Sequence, residues 1–123
     1  MANIKELQKQ VETFRDERDW KQFHSEKDLA IALSIEVGEL MEHLRYKTKE
    51  QLDAYFADPK NKQEFGYELA DCLYHLLAFA SVMGIELEAA FAEKMALLEK
   101  KYPAALAKGK NHKWTRYQEH EKP

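Results

Sequence analysis

Apolar residues recur along this chain at intervals of three and four, the spacing of one face of an α-helix. Ile4, Leu7, Val11 and Phe14 carry that pattern through the first segment and predict a helix from about Ile4 to Asp16. The stretch RDWKQFH then leads to Ser25, a good N-cap, with Asp28 three residues later favouring the start of a second helix. LAIALSIEVGELMEHLRY continues that helix with no breaker beyond Gly38. Thr48 followed by Gln51 has the form of a capping box and opens a short connector helix through about Phe56. Asp58 before Pro59 reads as an N-cap and first helical position, starting a helix that runs to Met83 and stops at Gly84. A last helix from Ile85 to about Lys101 ends before Pro103, and the chain from Lys108 onward is polar and irregular in pattern.

Four main helices and one connector predict an all-α fold, a four-helix-type bundle. At 123 residues the chain is the size of one domain, residues 1–123, with about 108–123 as an irregular basic tail. Four Gly and three Pro among 45% hydrophobic and 33% charged residues favour helices over a turn-rich β-sandwich. Several helices are apolar nearly all round, as in IALSIEVGELM, more than one small monomer can bury, so an oligomer is expected.

Charge and cysteine content narrow the function. The formal charge is −3, and basic residues gather only near the end, at Lys100, Lys101, Lys108, Lys110, Lys113 and Arg116, so no nucleic-acid polymer is expected as a partner. Cys72 stands alone, which excludes an internal disulfide and a Cys-based zinc site. The stretch MANIKELQKQ has no apolar signal core, and no apolar run approaches the roughly eighteen residues that a bilayer span needs. A cytoplasmic protein with no membrane partner is the expectation.

One pattern is written twice. EVGELMEHL, Glu36 to Leu44, returns as ELADCLYHL, Glu68 to Leu76, so that Glu36 falls on Glu68, Glu39 on Asp71 and His43 on His75 at one offset, 68 − 36 = 32. Residues three apart on a helix lie about 60° from each other and share a face, so each acid pair points one way. Leu29, Leu33, Val37, Leu40 and Leu44 form the apolar arc of one helix, with Glu36 inside it and Glu39 and His43 at its edge. Phe65, Leu69, Cys72, Leu76 and Phe79 form the other arc, with Glu68 inside it. A carboxylate facing a bundle core loses several kcal/mol of hydration unless neutralised or paired, and four gathered acids raise one another's pKa. Oxygen donors of this kind suit a hard cation, Mg²⁺ or Mn²⁺, with ligand positions left for water and phosphate oxygens. His43 and His75 follow Glu39 and Asp71 by four residues, not by the three of the Glu-x-x-His pattern in di-iron bundles, and read as hydrogen-bonded groups beside the site.

The two acid pairs, EVGE and ELAD, resemble the fingerprint of the all-α, MazG-like nucleoside triphosphate pyrophosphohydrolases. ERDWKQFH, LRYK, KYPAALA and KWT extend the likeness to the dCTP pyrophosphatase branch, from about Phe14 to Thr115. The resemblance implies hydrolysis of a (deoxy)nucleoside triphosphate to monophosphate and pyrophosphate, with Mg²⁺, or Mn²⁺ in its place, at Glu36, Glu39, Glu68 and Asp71. It implies a homodimer or homotetramer and a role in clearing the nucleotide pool. Glu36 or Glu39 is the candidate base. Trp20, His24 and Tyr46 match segments that hold the nucleotide, and Lys94, Lys101, Tyr102 and Lys113 match segments placed to reach the triphosphate. Val11 and Leu98 depart from that branch, which carries His and Asn there, and both departures bear on which base is preferred. Two other readings compete: a helical interaction module whose acids make structural salt bridges, and a di-iron carboxylate protein, disfavoured by the histidine spacing.

Overall fold

The computed structural model describes residues 1–118, and within them every regular element is helical. The chain, expected as one domain, divides into two compact units, the first Met1–Glu86 and the second beginning at Leu87.

The first unit holds α1 (Ile4–Glu17), a single 3-10 turn (Lys21–Phe23), α2 (Glu26–Glu42), α3 (Lys49–Ala57) and α4 (Pro59–Val82). The expected caps form. Asn3 accepts from the Glu6 N–H, Ser25 from the Asp28 N–H, and Asp58 from the Lys60 N–H with Pro59 at the first helical position. At α3 the capping box closes in both directions, the Gln51 N–H donating to Thr48 Oγ1 at 3.2 Å and the Thr48 N–H to Gln51 Oε1 at 2.8 Å. Gly84, at φ +68°, ends α4 in a Schellman motif: its N–H bonds to the Ser81 carbonyl and the Ile85 N–H to the Ala80 carbonyl.

α4 is the hub of this unit and packs against α1, α2 and α3. Its inward residues Leu77, Ala78 and Ala80 are buried, as are Val11 on α1 and Leu29 on α2. A polar tie joins α1 to the end of α4: the buried Gln8 side chain donates to the Ile85 carbonyl at 2.8 Å and to Ser81 Oγ at 3.2 Å, and Ser81 Oγ donates to Glu12 at 2.8 Å.

Three expectations change. α2 does not run to Tyr46. The N–H groups of Leu44 and Arg45 both turn to the Met41 carbonyl, and Tyr46 adopts a left-handed φ of 64°, which no α-helix accommodates. The predicted α4 arc is displaced, because the helix has neighbours on more than one side: Leu69 is 50% exposed and Leu76 45%, while Leu77 and Ala78 face inward. The last helix starts at Leu87, two residues late, since Ile85 is used to close the Schellman turn.

The second unit holds α5 (Leu87–Lys101), α6 (Ala104–Ala107) and α7 (Trp114–Gln118). The segment from Lys108, expected to be irregular, therefore includes one short helix. Tyr117 is buried there, its hydroxyl accepting from the His112 N–H at 3.0 Å, and the Gln118 side chain donates to the Lys100 carbonyl at 2.7 Å, tying α7 to the end of α5. The remainder of the expected tail, residues 119–123, lies outside the described residues. No single helix among the described residues is long and apolar enough to cross a membrane.

The cap at Asp58 sets where the hub helix begins. Asp58→Ala should cost about 1 kcal/mol of stability, the usual worth of an N-cap, read as a lower urea midpoint at unchanged slope.

Candidate active site

The packing of α2 on α4 brings the two halves of the repeated pattern together. One carboxylate oxygen from each of Glu36, Glu39 and Glu68 lies within 4.8 Å of the others. Two of these oxygens, Oε2 of Glu36 and Oε2 of Glu68, are buried without a hydrogen-bond partner. Asp71, one turn beyond Glu68, is exposed and stands outside that trio, yet its charge reaches Glu36. Burial, followed by the charges of Glu39 and Asp71, raises the Glu36 pKa, with His75 opposing and a hydrogen bond to Glu39 adding to the rise. The Cys72 thiol lies in the same field: burial pushes its pKa up, and Glu36, Asp71 and Glu68 push it further.

Such a cluster has the character of a cation site. Its donors are all oxygen, two are stripped of water and of protein partners, and none of the ion pairs formed among the described residues involves these four acids. A hard divalent ion fits that donor set, and the structural salt-bridge reading does not.

Beside the acids, a groove of about 530 Å³ runs between α1 and α4. Its walls are aromatic: Phe14 meets Trp20 edge to face at 5.7 Å and Tyr74 at 5.9 Å, and Asp71 and His75 also line it. Trp20 is held there by its N–H, which bonds to the Arg15 carbonyl at 3.0 Å across a turn in which Asp19 takes a left-handed φ of 54°. His24 follows, with its Nδ1 buried and unpartnered, and burial, then Arg15, then His75 hold its pKa below the ordinary value. Val11, one of the two departures noted in the sequence, is buried at the floor of the groove.

The other predicted residues are placed differently. Tyr46 sits in the left-handed turn after α2, 90% exposed, with the Arg45 guanidinium 4.9 Å from its ring, and it does not line the groove. Lys94, Lys101, Tyr102 and Lys113 belong to the second unit, as does Leu98. Lys94 is exposed on α5, Lys101 Nζ lies 5.3 Å from the Trp114 ring, the Tyr102 ring meets Tyr117 at 5.8 Å, and Lys113 is exposed just before α7. The two histidines of the pattern are hydrogen-bonded, as expected: His43 Nδ1 to the Tyr55 hydroxyl at 2.8 Å, and His75 Nδ1 to the Asp71 carbonyl at 2.8 Å.

Phe14 and Tyr74 as groove walls were not singled out in the sequence. Tyr74 follows Asp71 by three positions and Phe14 lies on the apolar stripe of α1, so the helical period held the signal. What it lacked was the knowledge that α1 packs on α4.

Comparison with known proteins gives the family and the fold. Residues 5–95 match the family model of phosphoribosyl-ATP pyrophosphohydrolase. Over 102 residues, 83% of the chain, it is 37% identical to dCTP pyrophosphatase 1 of Homo sapiens and 36% identical to that of Bos taurus. The chain spans about 60% of the length of these curated relatives. A crystal structure of a pyrophosphatase from Archaeoglobus fulgidus superposes with a TM-score of 0.70 at 34% identity, covering 84% of this chain and 94% of that one. The likeness read from the acid pairs thus extends through the fold, and the chain belongs to the phosphoribosyl-ATP pyrophosphohydrolase family.

Proposed function

We propose that this protein hydrolyses (deoxy)nucleoside triphosphates, dCTP or a modified pyrimidine relative among them, to the monophosphate and pyrophosphate with the help of Mg²⁺, Mn²⁺ serving in its place. The observation that carries the reading is the pair of buried, unpartnered carboxylate oxygens at Glu36 and Glu68, within reach of Glu39 and ion-paired with no lysine or arginine among the described residues. The similarity to proteins named dCTP pyrophosphatase supports the nucleotide class.

Glu36, Glu39 and Glu68 would hold the metal, with Asp71 at the mouth of the groove completing the set. When bound, the metal neutralises phosphate charge and polarises the phosphorus under attack. The chain's own residues do the rest. The aromatic walls of Phe14, Trp20 and Tyr74 take the flat face of the base, placing the phosphates toward the acids. A carboxylate of the Glu36 and Glu39 pair accepts the proton of the attacking water. We further propose a homodimer or homotetramer, supported by Ile31, Ile35 and Met41 on α2 and Leu69, Leu73 and Leu76 on α4, all well exposed in one chain.

The products decide the reaction class. Incubation with Mg²⁺ and a panel of nucleoside triphosphates should yield monophosphate and pyrophosphate; diphosphate and phosphate, or no turnover, would refute it. Glu39→Gln and Glu68→Gln should each lower kcat at least about a hundredfold, the scale on which losing one charge-stabilising group acts. Unchanged helicity by circular dichroism shows that the loss is chemical.

A binding readout tests the metal separately. Mg²⁺ at about a hundred times its Kd should stabilise the wild type by about 2.7 kcal/mol. Glu36→Gln should abolish that response. The raised pKa of Glu36 also fixes the behaviour without metal. The folded state holds this proton more tightly than the unfolded chain, so the contribution is present below the ordinary glutamate value of 4.5 and lost as pH rises through the higher folded value. Metal-free Glu36→Gln, which cannot ionise, should therefore melt above wild type at pH 7, the gap closing as pH falls toward 4.5.

A further inference from the structure

The reaction uses the acids, and the aromatic walls of the groove are indifferent to which base they hold, since every base has a flat face. Among the groove residues, His75 has a polar ring atom whose hydrogen-bonding character the backbone fixes. Its Nδ1 lies 2.8 Å from the carbonyl oxygen of Asp71, one helical turn earlier. A carbonyl oxygen can only accept, so Nδ1 must carry the hydrogen. In the neutral ring the remaining nitrogen, Nε2, is then a lone pair. That bond also restrains the ring against flipping, because turning it over would bring Cδ2 to the carbonyl and lose the hydrogen bond.

His75 is partly exposed and lines the same groove as Phe14, Trp20 and Tyr74, and its ring meets that of Tyr74 edge to face at 5.2 Å. Val11, which also lines the groove, offers no hydrogen bond from its side chain. A base lodged between these aromatic rings thus meets an acceptor of fixed orientation in an otherwise largely apolar wall.

We propose that His75 is the residue that selects the base, its Nε2 accepting a hydrogen bond from an exocyclic amino group, so that amino-bearing bases are taken in preference to their keto counterparts. A keto oxygen in the same place brings one lone pair against another and leaves both unpaired. This inference rests on the groove being the seat of the base in the proposed nucleotide hydrolysis. Glu36, Glu39 and Glu68 do not line it, and a change at His75 leaves all four carboxylates in place, so selection and chemistry separate in a test.

Cytosine and uracil differ at one ring position, amino against keto, and so make the probe. With Mg²⁺ present, the wild type should show kcat/KM for dCTP above that for dUTP by about tenfold or more, the scale of one mismatched buried hydrogen bond. In His75→Leu the ratio should fall toward one, chiefly through loss on dCTP. His75→Gln, whose amide can either accept or donate, should restore turnover of dCTP and raise that of dUTP. A wild type blind to the pair, or a ratio unchanged in both variants, overturns the role of His75. So does preference for dUTP, which would mark the ring as a donor. Because the wild-type ratio is itself decisive, a variant that fails to fold does not shelter the proposal. Absence of monophosphate and pyrophosphate from every nucleotide refutes the reaction itself, an outcome distinct from turnover that ignores the base.

Discussion

Three carboxylates that can bring an oxygen each within 4.8 Å of the others are a strained arrangement wherever water is scarce. Burial, and after it the charges of Glu39 and Asp71, raises the proton affinity of Glu36. Among the described residues no lysine or arginine forms an ion pair with them, and two of their oxygens have no hydrogen-bond partner. Proteins rarely keep buried polar atoms unsatisfied without a use, and the use that matches all-oxygen donors is to hold a hard cation. The α2 and α4 pairing therefore works against its own stability at this point. Packing elsewhere on α4 has to hold it in place.

That packing is modest. The first unit buries Val11, Leu29, Leu77, Ala78 and Ala80, a thin core for helices of this length, and supplements it with well-formed caps and the Gln8 bonds that fasten α1 to the end of α4. Small residues at Ala78 and Ala80 let neighbouring helices approach α4 closely. The same helix leaves Leu69, Leu73 and Leu76 exposed, so its apolar surface exceeds what the three neighbours cover. One helix thus carries acids toward α2, aromatic groove residues toward α1, and a spare apolar strip.

The site also divides its tasks by element. α2 and α4 supply charge for the metal, whereas the groove walls come from Phe14 on α1, from Trp20 in the turn after it, fixed by the Arg15 carbonyl and the left-handed Asp19, and from Tyr74 and His75 on α4. Tyr46, expected beside them, is carried by a second left-handed turn to an exposed position.

Local chemistry was legible in the sequence because it depends on neighbours a few residues away. Each N-cap at Ser25, Thr48 and Asp58 is satisfied by groups within three positions, Gly84 stops α4 because it readily takes a positive φ, and two acids three residues apart share a helix face whatever surrounds them. The acid pairs and the all-α class follow from such short-range rules, and the likeness to the family rests on the acid pairs they place. The side of α4 that faces inward could not be read this way, since an apolar residue does not record which helix will cover it, and Leu76 and Leu77 look alike until α1 is docked. Nor could the period of three show that Asp71 stands apart from the trio, that Phe14 and Tyr74 meet across a groove, or that His75 spends one nitrogen on the Asp71 carbonyl. Sequence alone determined which groups this protein can offer; tertiary packing, through the long-range contacts of α4, decided which of them share a site.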